Sequence, residues 1–238
     1  MIAHTFICRG DEWILEHHLS VYSRIADKIV VILDRSPQNE ATCRKYGAEV
    51  IHWQSRVDYV DFNETGLLCD EGEMRQAGLE ACLKYRPDFI VFGDTDEAPT
   101  PDIIEFIASN PDSSVDLFLC DWVNLVHSVR TAIGGESRWS FQTPRGNKKD
   151  LVLRVRNGIK YNYPAVLQHV RMDRSGLETR IVPQPKLIHY KYAAWEKWCA
   201  NPQSKTNAYA DLLAKAEIVP VPSEWLWPFP IPLLDNDT

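Results

Sequence analysis

The chain has 238 residues, of which 45% are hydrophobic and 25% are charged, and its formal net charge is -7. This is the composition of an ordinary globular domain with a full core, and the negative charge argues against nucleic acid as the main partner. The longest aliphatic run, Ile29–Leu33, is far too short to cross a bilayer, and the N-terminus lacks the regions of a signal peptide. We therefore expect a soluble, cytoplasmic protein without a transmembrane segment.

Apolar runs alternate with helical patterns along the first half of the chain. Strands are predicted at residues 3–8, 28–33, 48–53, 88–92 and 115–120. Helices are predicted around residues 14–22, 40–46, 71–86 and 103–108, and 54–70 is predicted to be a loop. Strands that alternate with helices imply βαβ units and a mainly parallel sheet, in which ligands bind beyond the carboxyl ends of the strands.

A different pattern begins at about residue 125. Residues 148–163 are predicted to form a β-hairpin that turns at Asn157-Gly158. Helices are predicted at 193–199 and 204–216. The sequence therefore predicts one α/β domain over residues 1–218, with a smaller C-terminal part made of the hairpin and helices.

Residues 219–238 form a tail that is rich in proline and tryptophan. Trp225, Trp227 and Phe229 are too large to stay exposed together without a purpose. One interpretation is an extended strap that packs on its own domain. The other is a surface that meets a partner subunit or a membrane-associated acceptor, which leaves open a homodimer.

A cluster of carboxylates follows the predicted strand at 88–92, in the order Asp94-Thr95-Asp96-Glu97. Like charges this close repel one another, so a cation is the simplest compensation. An extended backbone is predicted here, from which one of Asp94 and Asp96 meets a metal and the other meets the ligand that the metal holds. Mg²⁺ and Mn²⁺ favour such oxygen ligands together with phosphate oxygens. The alternative is an acidic loop that caps the next helix and binds nothing.

Further candidates lie elsewhere in the chain, and two of them, Arg9 and Asp34, are at other predicted strand ends. Arg9 could neutralise a phosphate and Asp34 could accept hydrogen bonds from a ribose or a base, although an ion pair and a turn are the simpler interpretations. Arg75 and Lys205 complete the candidate donor-binding set. His189, at the end of an apolar run, could supply a nitrogen ligand to the metal, or it could be a structural histidine.

Taken together, these residues resemble the family 2 glycosyltransferases, which have a GT-A fold. The resemblance is carried by four segments in the expected order, which are Cys8–Leu19, Ile32–Ser36, Phe92–Glu97 and Leu187–Tyr190. The segment Asp94-Thr95-Asp96-Glu97 matches the Asp-x-Asp-Glu motif of the family. Two segments depart from it: Arg9-Gly10-Asp11-Glu12 replaces the usual Asn-Glu-Glu, and Leu33 and Arg35 replace an Asp and a Gly around Asp34.

The resemblance implies a GT-A (Rossmann-like) protein with a mainly parallel sheet flanked by helices. Residues 1–125 would bind the nucleotide sugar, and residues 126–218 would form the acceptor side. The implied activity is transfer of a sugar from a nucleotide-sugar donor to a hydroxyl of a glycan, lipid-linked or protein acceptor, with inversion. The implied cofactor is Mn²⁺ or Mg²⁺, held by Asp94, Asp96 and His189, which stabilises the charge on the departing nucleoside diphosphate.

Inversion needs a general base to deprotonate the acceptor hydroxyl. Asp121, which directly follows the predicted strand 115–120, is the first candidate, and Glu136 in a Gly-Gly-Glu loop is the second. Both could instead be helix-capping or surface acids. An alternative function is a non-catalytic nucleotide-sugar-binding or interaction module. A phosphatase is disfavoured by Ala98 two residues after the second Asp, and a nucleotidyltransferase is disfavoured because residues 9–12 do not form a Gly-rich basic loop.

Overall fold

In the part of the chain that the structure describes, a nine-stranded sheet forms the centre and a separate sheet contains two strands. The computed structural model describes residues 1–10, 12–55, 70–109, 111–125, 131–133, 148–163, 172–190, 218–229 and 231. The strands are β1 (Ile2–Cys8), β2 (Lys28–Asp34), β3 (Glu49–Trp53), β4 (Phe89–Phe92), β5 (Glu97–Pro99), β6 (Leu117–Asn124), β7 (Thr131–Ile133), β8 (Lys148–Arg154), β9 (Thr179–Ile181), β10 (Leu187–His189) and β11 (Ile218–Pro220). Strands β7 and β11 form the small antiparallel sheet.

The central sheet has the order β3-β2-β1-β4-β8-β6-β10-β5, with β9 beside β6. Strands β3, β2, β1 and β4 are mutually parallel. Strand β8 runs antiparallel to both β4 and β6, so β6 and its parallel neighbour β10 have the direction of β4. The carboxyl ends of β1, β2, β4, β6 and β10 therefore meet at one rim, which confirms the predicted mainly parallel α/β fold.

Helices cover both faces of this sheet. They are α1 (Glu12–Ile25), α2 (Glu40–Lys45), α3 (Glu71–Lys84) and α4 (Ile103–Ala108). Leu19 of α1 packs with Phe6 on one face of β1, whereas Leu79 of α3 packs with Ala3 on the other face. This arrangement follows from the alternation of side chains along a strand, because Ala3 and Phe6 lie an odd number of positions apart. None of the helices in the described ranges has the length and apolar content needed to cross a membrane.

Two predicted elements in the second half differ from the structure. The strand predicted at 115–120 is β6, which extends to Asn124, so Asp121 lies inside the strand rather than after it. The hairpin predicted at 148–163 is wrong, because β8 pairs with β4 and β6 and residues 155–163 form no strand. Both differences arise from pairing with strands that are far away in sequence. β10 pairs with the end of β6, and β4 and β6 pair with β8. The predicted helices at 193–199 and 204–216 lie outside the described residues.

The described part of the tail packs against its own domain. Trp225, Trp227 and Phe229 are half-buried against the larger hydrophobic core, and Ile231 is buried in it. The indole N–H of Trp227 donates to the backbone carbonyl of Pro99 in β5 at 2.6 Å. These contacts support the strap interpretation of the tail.

Candidate functional site

The carboxylate cluster lies on a tight turn between β4 and β5. The backbone N–H of Glu97 donates to the carbonyl of Asp94 at 2.9 Å and closes this turn. The extended backbone predicted for Asp94 and Asp96 is therefore wrong. The position that follows β4 requires a glycine, Gly93, because the hydroxyl of Tyr22 occupies the space that a side chain there would need.

Asp94 is held between two cations. Its carboxylate lies 2.6 Å from the Arg75 guanidinium and 3.2 Å from the Lys149 ammonium. Arg75 in turn pairs with Glu71, one helical turn before it on α3, at 2.8 Å. Burial alone would raise the pKa of Asp94, but the charges of Arg75 and Lys149 hold that pKa well below its usual range. Asp94 is therefore ionised, and its negative charge is compensated by Arg75 and Lys149.

Glu97 forms the floor of the same network. Its side chain is 2% exposed and lies 2.6 Å from the Lys149 ammonium. Its second carboxylate oxygen accepts the backbone N–H of Asp94 at 2.9 Å. Burial raises the pKa of Glu97, and the opposing charge of Lys149 lowers it only in part. The ammonium of Lys149 also lies 4.6 Å from the centroid of the Trp122 ring, within range of a cation–π contact.

Asp96 has a different partner, His189. The Nε2 atom of His189 lies 3.2 Å from the Asp96 carboxylate, and its Nδ1 atom lies 2.7 Å from the Asn124 side-chain oxygen. The register of β10 on β6 pairs His189 with Asn124 directly, which fixes the ring. A neutral imidazole can donate from only one nitrogen, whereas both nitrogens here face oxygen atoms. In the tautomer that donates from Nδ1 to Asn124, the lone pair of Nε2 faces the Asp96 carboxylate, and a cation could lie between these two atoms.

The pair formed by Asp96 and His189 fits two positions of a divalent cation. Adjacent ligands of an octahedral cation with bonds of 2.0–2.1 Å are about 2.9 Å apart, which is close to the observed 3.2 Å. Imidazole nitrogen and carboxylate oxygen are both ligands that Mn²⁺ accepts. The predicted three-ligand set is not assembled, because Asp94 binds Arg75 and Lys149 instead. Within the described ranges, no three His, Cys, Asp or Glu side chains are grouped to hold a metal ion.

Arg9 and Asp34, two of the predicted donor contacts, are bonded to each other. Asp34 is completely buried and accepts the guanidinium of Arg9 as well as the backbone N–H of Ser55 at 2.9 Å. The Arg9 guanidinium also donates to the Ser55 hydroxyl at 3.0 Å. These contacts order the rim where β1 and β2 end. Donor binding by Arg9 and Asp34 remains a prediction, as it does for Arg75.

Asp121, the first candidate for the general base, lies on the opposite face of the sheet from His189. Asp121 alternates with Trp122 along β6, whereas Asn124 shares the face of Trp122 and is paired with His189. The Asp121 carboxylate forms an ion pair with Lys148 and lies 3.6 Å from the Lys186 ammonium. Glu136, the second candidate, and Lys205 lie outside the described residues.

Three residues of the site were not identified from the sequence, namely Trp122, Asn124 and Lys149. A strand prediction extended to Asn124 would have placed Trp122 and Asn124 on one face at the carboxyl end of β6. Lys149 was not identified because the hairpin prediction for 148–163 gave it the wrong neighbouring strand. The alternation of side chains along β8 separates it from Lys148, and the register places it beside Cys120 on the face of Trp122.

Comparisons with known proteins give likenesses in fold. No protein-family model matches the chain, and no curated protein sequence matches it. TarS residues 1–349 from S. aureus align at 14% identity over 64% of this chain, with a TM-score of 0.40, and the chain spans only 46% of that structure. The inositol-1-phosphate CTP transferase from T. maritima aligns at 10% identity over 90% of this chain and 95% of its own, with a TM-score of 0.43. A putative glucose-1-phosphate thymidylyltransferase from Bacillus anthracis aligns at 9% identity over 87% and 97%, with a TM-score of 0.42.

Proposed function

We propose that this protein is a metal-dependent glycosyltransferase that moves a sugar from a nucleotide-sugar donor to an acceptor hydroxyl, with inversion. The observation that carries the proposal is the contact between Asp96 and His189 at the carboxyl rim of the sheet. It supplies one oxygen and one nitrogen ligand at a spacing that suits Mn²⁺ or Mg²⁺. The resemblance of residues 92–97 and 187–190 to the family 2 glycosyltransferases supports the same conclusion.

The chain itself prepares this site in two ways. Asn124 orients the His189 ring through Nδ1, so that Nε2 points toward the Asp96 carboxylate. Arg75 and Asp94 form a fixed ion pair beside it, which places a guanidinium close to where donor phosphates would lie. A bound Mn²⁺ or Mg²⁺ ion would supply Lewis-acid stabilisation of the negative charge that develops on the nucleoside diphosphate. Residues 1–125 form the donor half in this proposal, and residues 126–218 form the acceptor half.

The general base belongs to the acceptor half or to the strand before it. The resemblance implies such a base, and Asp121 and Glu136 remain the two candidates that their positions in the sequence suggest. Such a base must lie within hydrogen-bond reach of the acceptor hydroxyl, directly or through one water molecule. The acceptor is a glycan, a lipid-linked molecule or a protein in this proposal.

The proposal is tested by a thermal-shift screen of nucleoside diphosphates and nucleotide sugars, with Mn²⁺ and with EDTA. A ligand that binds only the folded state raises its stability by mass action, so a metal-dependent rise in melting temperature identifies the donor. Release of the nucleoside diphosphate from that donor is then measured in Asp96→Asn and in Glu105→Gln, a control at an exposed acid of α4. We expect turnover to be lost in Asp96→Asn and kept in the control.

Three results would contradict the proposal. Unchanged turnover in Asp96→Asn would remove its structural basis. Release of pyrophosphate from a nucleoside triphosphate would identify a nucleotidyltransferase instead. Binding of a nucleotide sugar without turnover, with every acceptor class tried, would identify a non-catalytic binding module.

A further inference from the structure

Lys149 lies between a buried carboxylate and an accessible one. The side chains of Lys149 and Asp94 are 30% and 31% exposed, whereas that of Glu97 is 2% exposed. The contact with Glu97 is the closer one, at 2.6 Å, and the contact with Asp94 is 3.2 Å. Glu97 therefore holds the ammonium as a buried partner, while Lys149 and Asp94 are both partly accessible to solvent.

We propose that Lys149 binds the phosphate groups of the nucleotide donor by exchanging its contact with Asp94 for one with phosphate. This inference rests on the proposed function and names a substrate-binding residue that neither the sequence motifs nor the comparisons point to. The exchanged partner is an anionic phosphate oxygen, which accepts a charge-assisted hydrogen bond from the ammonium in place of a carboxylate oxygen.

The exchange leaves no buried charge without a partner. Asp94 keeps the closer of its two cations, Arg75, at 2.6 Å. Lys149 keeps Glu97, so the buried carboxylate stays compensated throughout. Only the longer contact, between Lys149 and Asp94, is given up, and breaking a partly exposed ion pair costs little compared with breaking a buried one.

The surroundings of Lys149 also restrict where its ammonium can go. The ring of Trp122 lies 4.6 Å from the ammonium and limits its movement on that side. Trp122 is itself 4.5 Å from the His189 ring, measured between centroids. A phosphate that contacts Lys149 is therefore held beside His189 and Asp96, where the proposed metal ligands lie. A lysine is suited to this position because its single charge can turn between partners on a flexible stem.

The neighbouring residue Lys148 gives a matched control. It is adjacent in sequence but points to the other face of β8, where it pairs with Asp121. Lys148→Met and Lys149→Met remove the same charge and keep an unbranched apolar stem. Because Lys149→Met leaves Glu97 buried without its cation, it could lose stability. The pair Glu97→Gln and Glu97→Gln/Lys149→Met removes that problem, since the glutamine carries no charge.

The experiment measures binding by isothermal titration calorimetry with Mn²⁺ present. The probe is whichever of UDP, GDP, CDP, ADP and TDP gives the largest thermal shift with the wild type, and the corresponding nucleoside is measured by ligand-observed NMR. Loss of one charge-assisted contact corresponds to about a 10- to 100-fold weaker Kd. We expect this loss for the diphosphate in Glu97→Gln/Lys149→Met relative to Glu97→Gln. We expect a change of less than about twofold for the nucleoside in that pair, and for the diphosphate in Lys148→Met.

The possible results separate this inference from the proposed function. The Kd of the diphosphate is compared between Glu97→Gln and the double variant. If the two values agree within about twofold, the role of Lys149 is overturned and the glycosyltransferase proposal stays intact. Equal losses for diphosphate and nucleoside would show that Lys149 only maintains the structure, and would also overturn the inference. If the wild type binds none of the five diphosphates, the proposed function fails and the inference fails with it.

Discussion

Replacing Asp94 and Asp96 separately by asparagine should have opposite effects on stability and on metal binding. The two residues belong to one Asp-x-Asp motif, yet Asp94 holds Arg75 and Lys149 whereas Asp96 contacts His189. We therefore expect Asp94→Asn to destabilise the fold and to keep the stabilisation that added Mn²⁺ gives. We expect Asp96→Asn to keep the fold and to lose that stabilisation.

The expected loss of stability follows from the contacts of Asp94. Two unit charges at about 4 Å attract each other by roughly 4 kcal/mol in surroundings of intermediate polarity. Asp94 is 31% exposed, and its two cations keep Glu71 and Glu97 as partners, so the net loss is smaller than the sum of two such contacts. We expect Asp94→Asn to lower the free energy of unfolding by about 2–3 kcal/mol, which is roughly 5–10 °C in a chain of this size. Asp96→Asn should lower it by less than about 1 kcal/mol.

The difference between the wild type and Asp94→Asn should also depend on pH. The pKa of Asp94 is lower in the folded state than its unfolded value of about 3.9. The stabilisation is therefore fully present above about pH 4 and is lost as the pH falls toward the folded pKa. The gap between the two unfolding free energies should be constant from pH 8 to pH 5 and should shrink below about pH 4.

The assay is urea unfolding monitored by tryptophan fluorescence, with EDTA and then with a series of Mn²⁺ concentrations. Mn²⁺ at 100 times its Kd stabilises a protein that binds it only when folded by about 2.7 kcal/mol. Equal m-values are required before the free energies are compared. If Asp94→Asn is as stable as the wild type, or if it loses the response to Mn²⁺ while Asp96→Asn keeps it, this division of roles is refuted.

Three further predictions concern the strap, the candidate base and a buried histidine pair. Trp227→Phe removes an indole N–H that donates to a carbonyl of β5, so the free energy of unfolding should fall by about 1 kcal/mol; an unchanged urea midpoint would show that the strap contributes nothing there. Asp121→Asn should lower stability by about 1 kcal/mol and leave donor hydrolysis unchanged, whereas a loss of transfer of about a hundredfold or more with intact donor binding would identify Asp121 as the base. Burial lowers the pKa of His4 to about 3 and that of His18 well below its usual value, so both fold as neutral rings. Each of these two histidines should reduce the free energy of unfolding by about 2 kcal/mol as the pH falls from 7 to 5, because only the unfolded chain binds a proton there in this range. Urea midpoints that do not change between pH 7 and pH 5 would contradict this.

The parallel half of the fold was predictable from the sequence because its information is local. Continuous apolar runs such as 29–33 indicate strands that are covered on both faces, and helical spacing indicates the segments that cover them. Predicted strand ends also placed Arg9, Asp34 and the cluster Asp94–Glu97 at one rim, and the structure has them at the ends of β1, β2 and β4 on that rim. Residues far apart in sequence were thus brought together by the strand-end rule alone.

The partners of the carboxylates could not be predicted in the same way. Arg75 is 19 residues before Asp94, and Lys149 is 55 residues after it. Only the order of the strands brings Lys149 close, since β8 enters the sheet between β4 and β6. Residues 148–163 carry a turn at Asn157-Gly158 that suggests a hairpin, but the pairing of β8 with distant strands overrode this local pattern. A hydrophobic pattern predicts that a segment is a strand, but it does not predict which strand lies beside it in the sheet.

Under the proposed function, the charges of the site would set the order in which the ligands bind. Among the described residues, Glu71, Asp94 and Glu97 share Arg75 and Lys149, so this network has an excess of negative charge before Asp96 is added. A nucleoside diphosphate that approached alone would meet this excess and be repelled. A divalent cation would be attracted by the same charges, and its binding would change the balance in favour of phosphate. The acidic cluster that looks unfavourable in the sequence is thus consistent with a site that takes up its metal first and its anionic donor second.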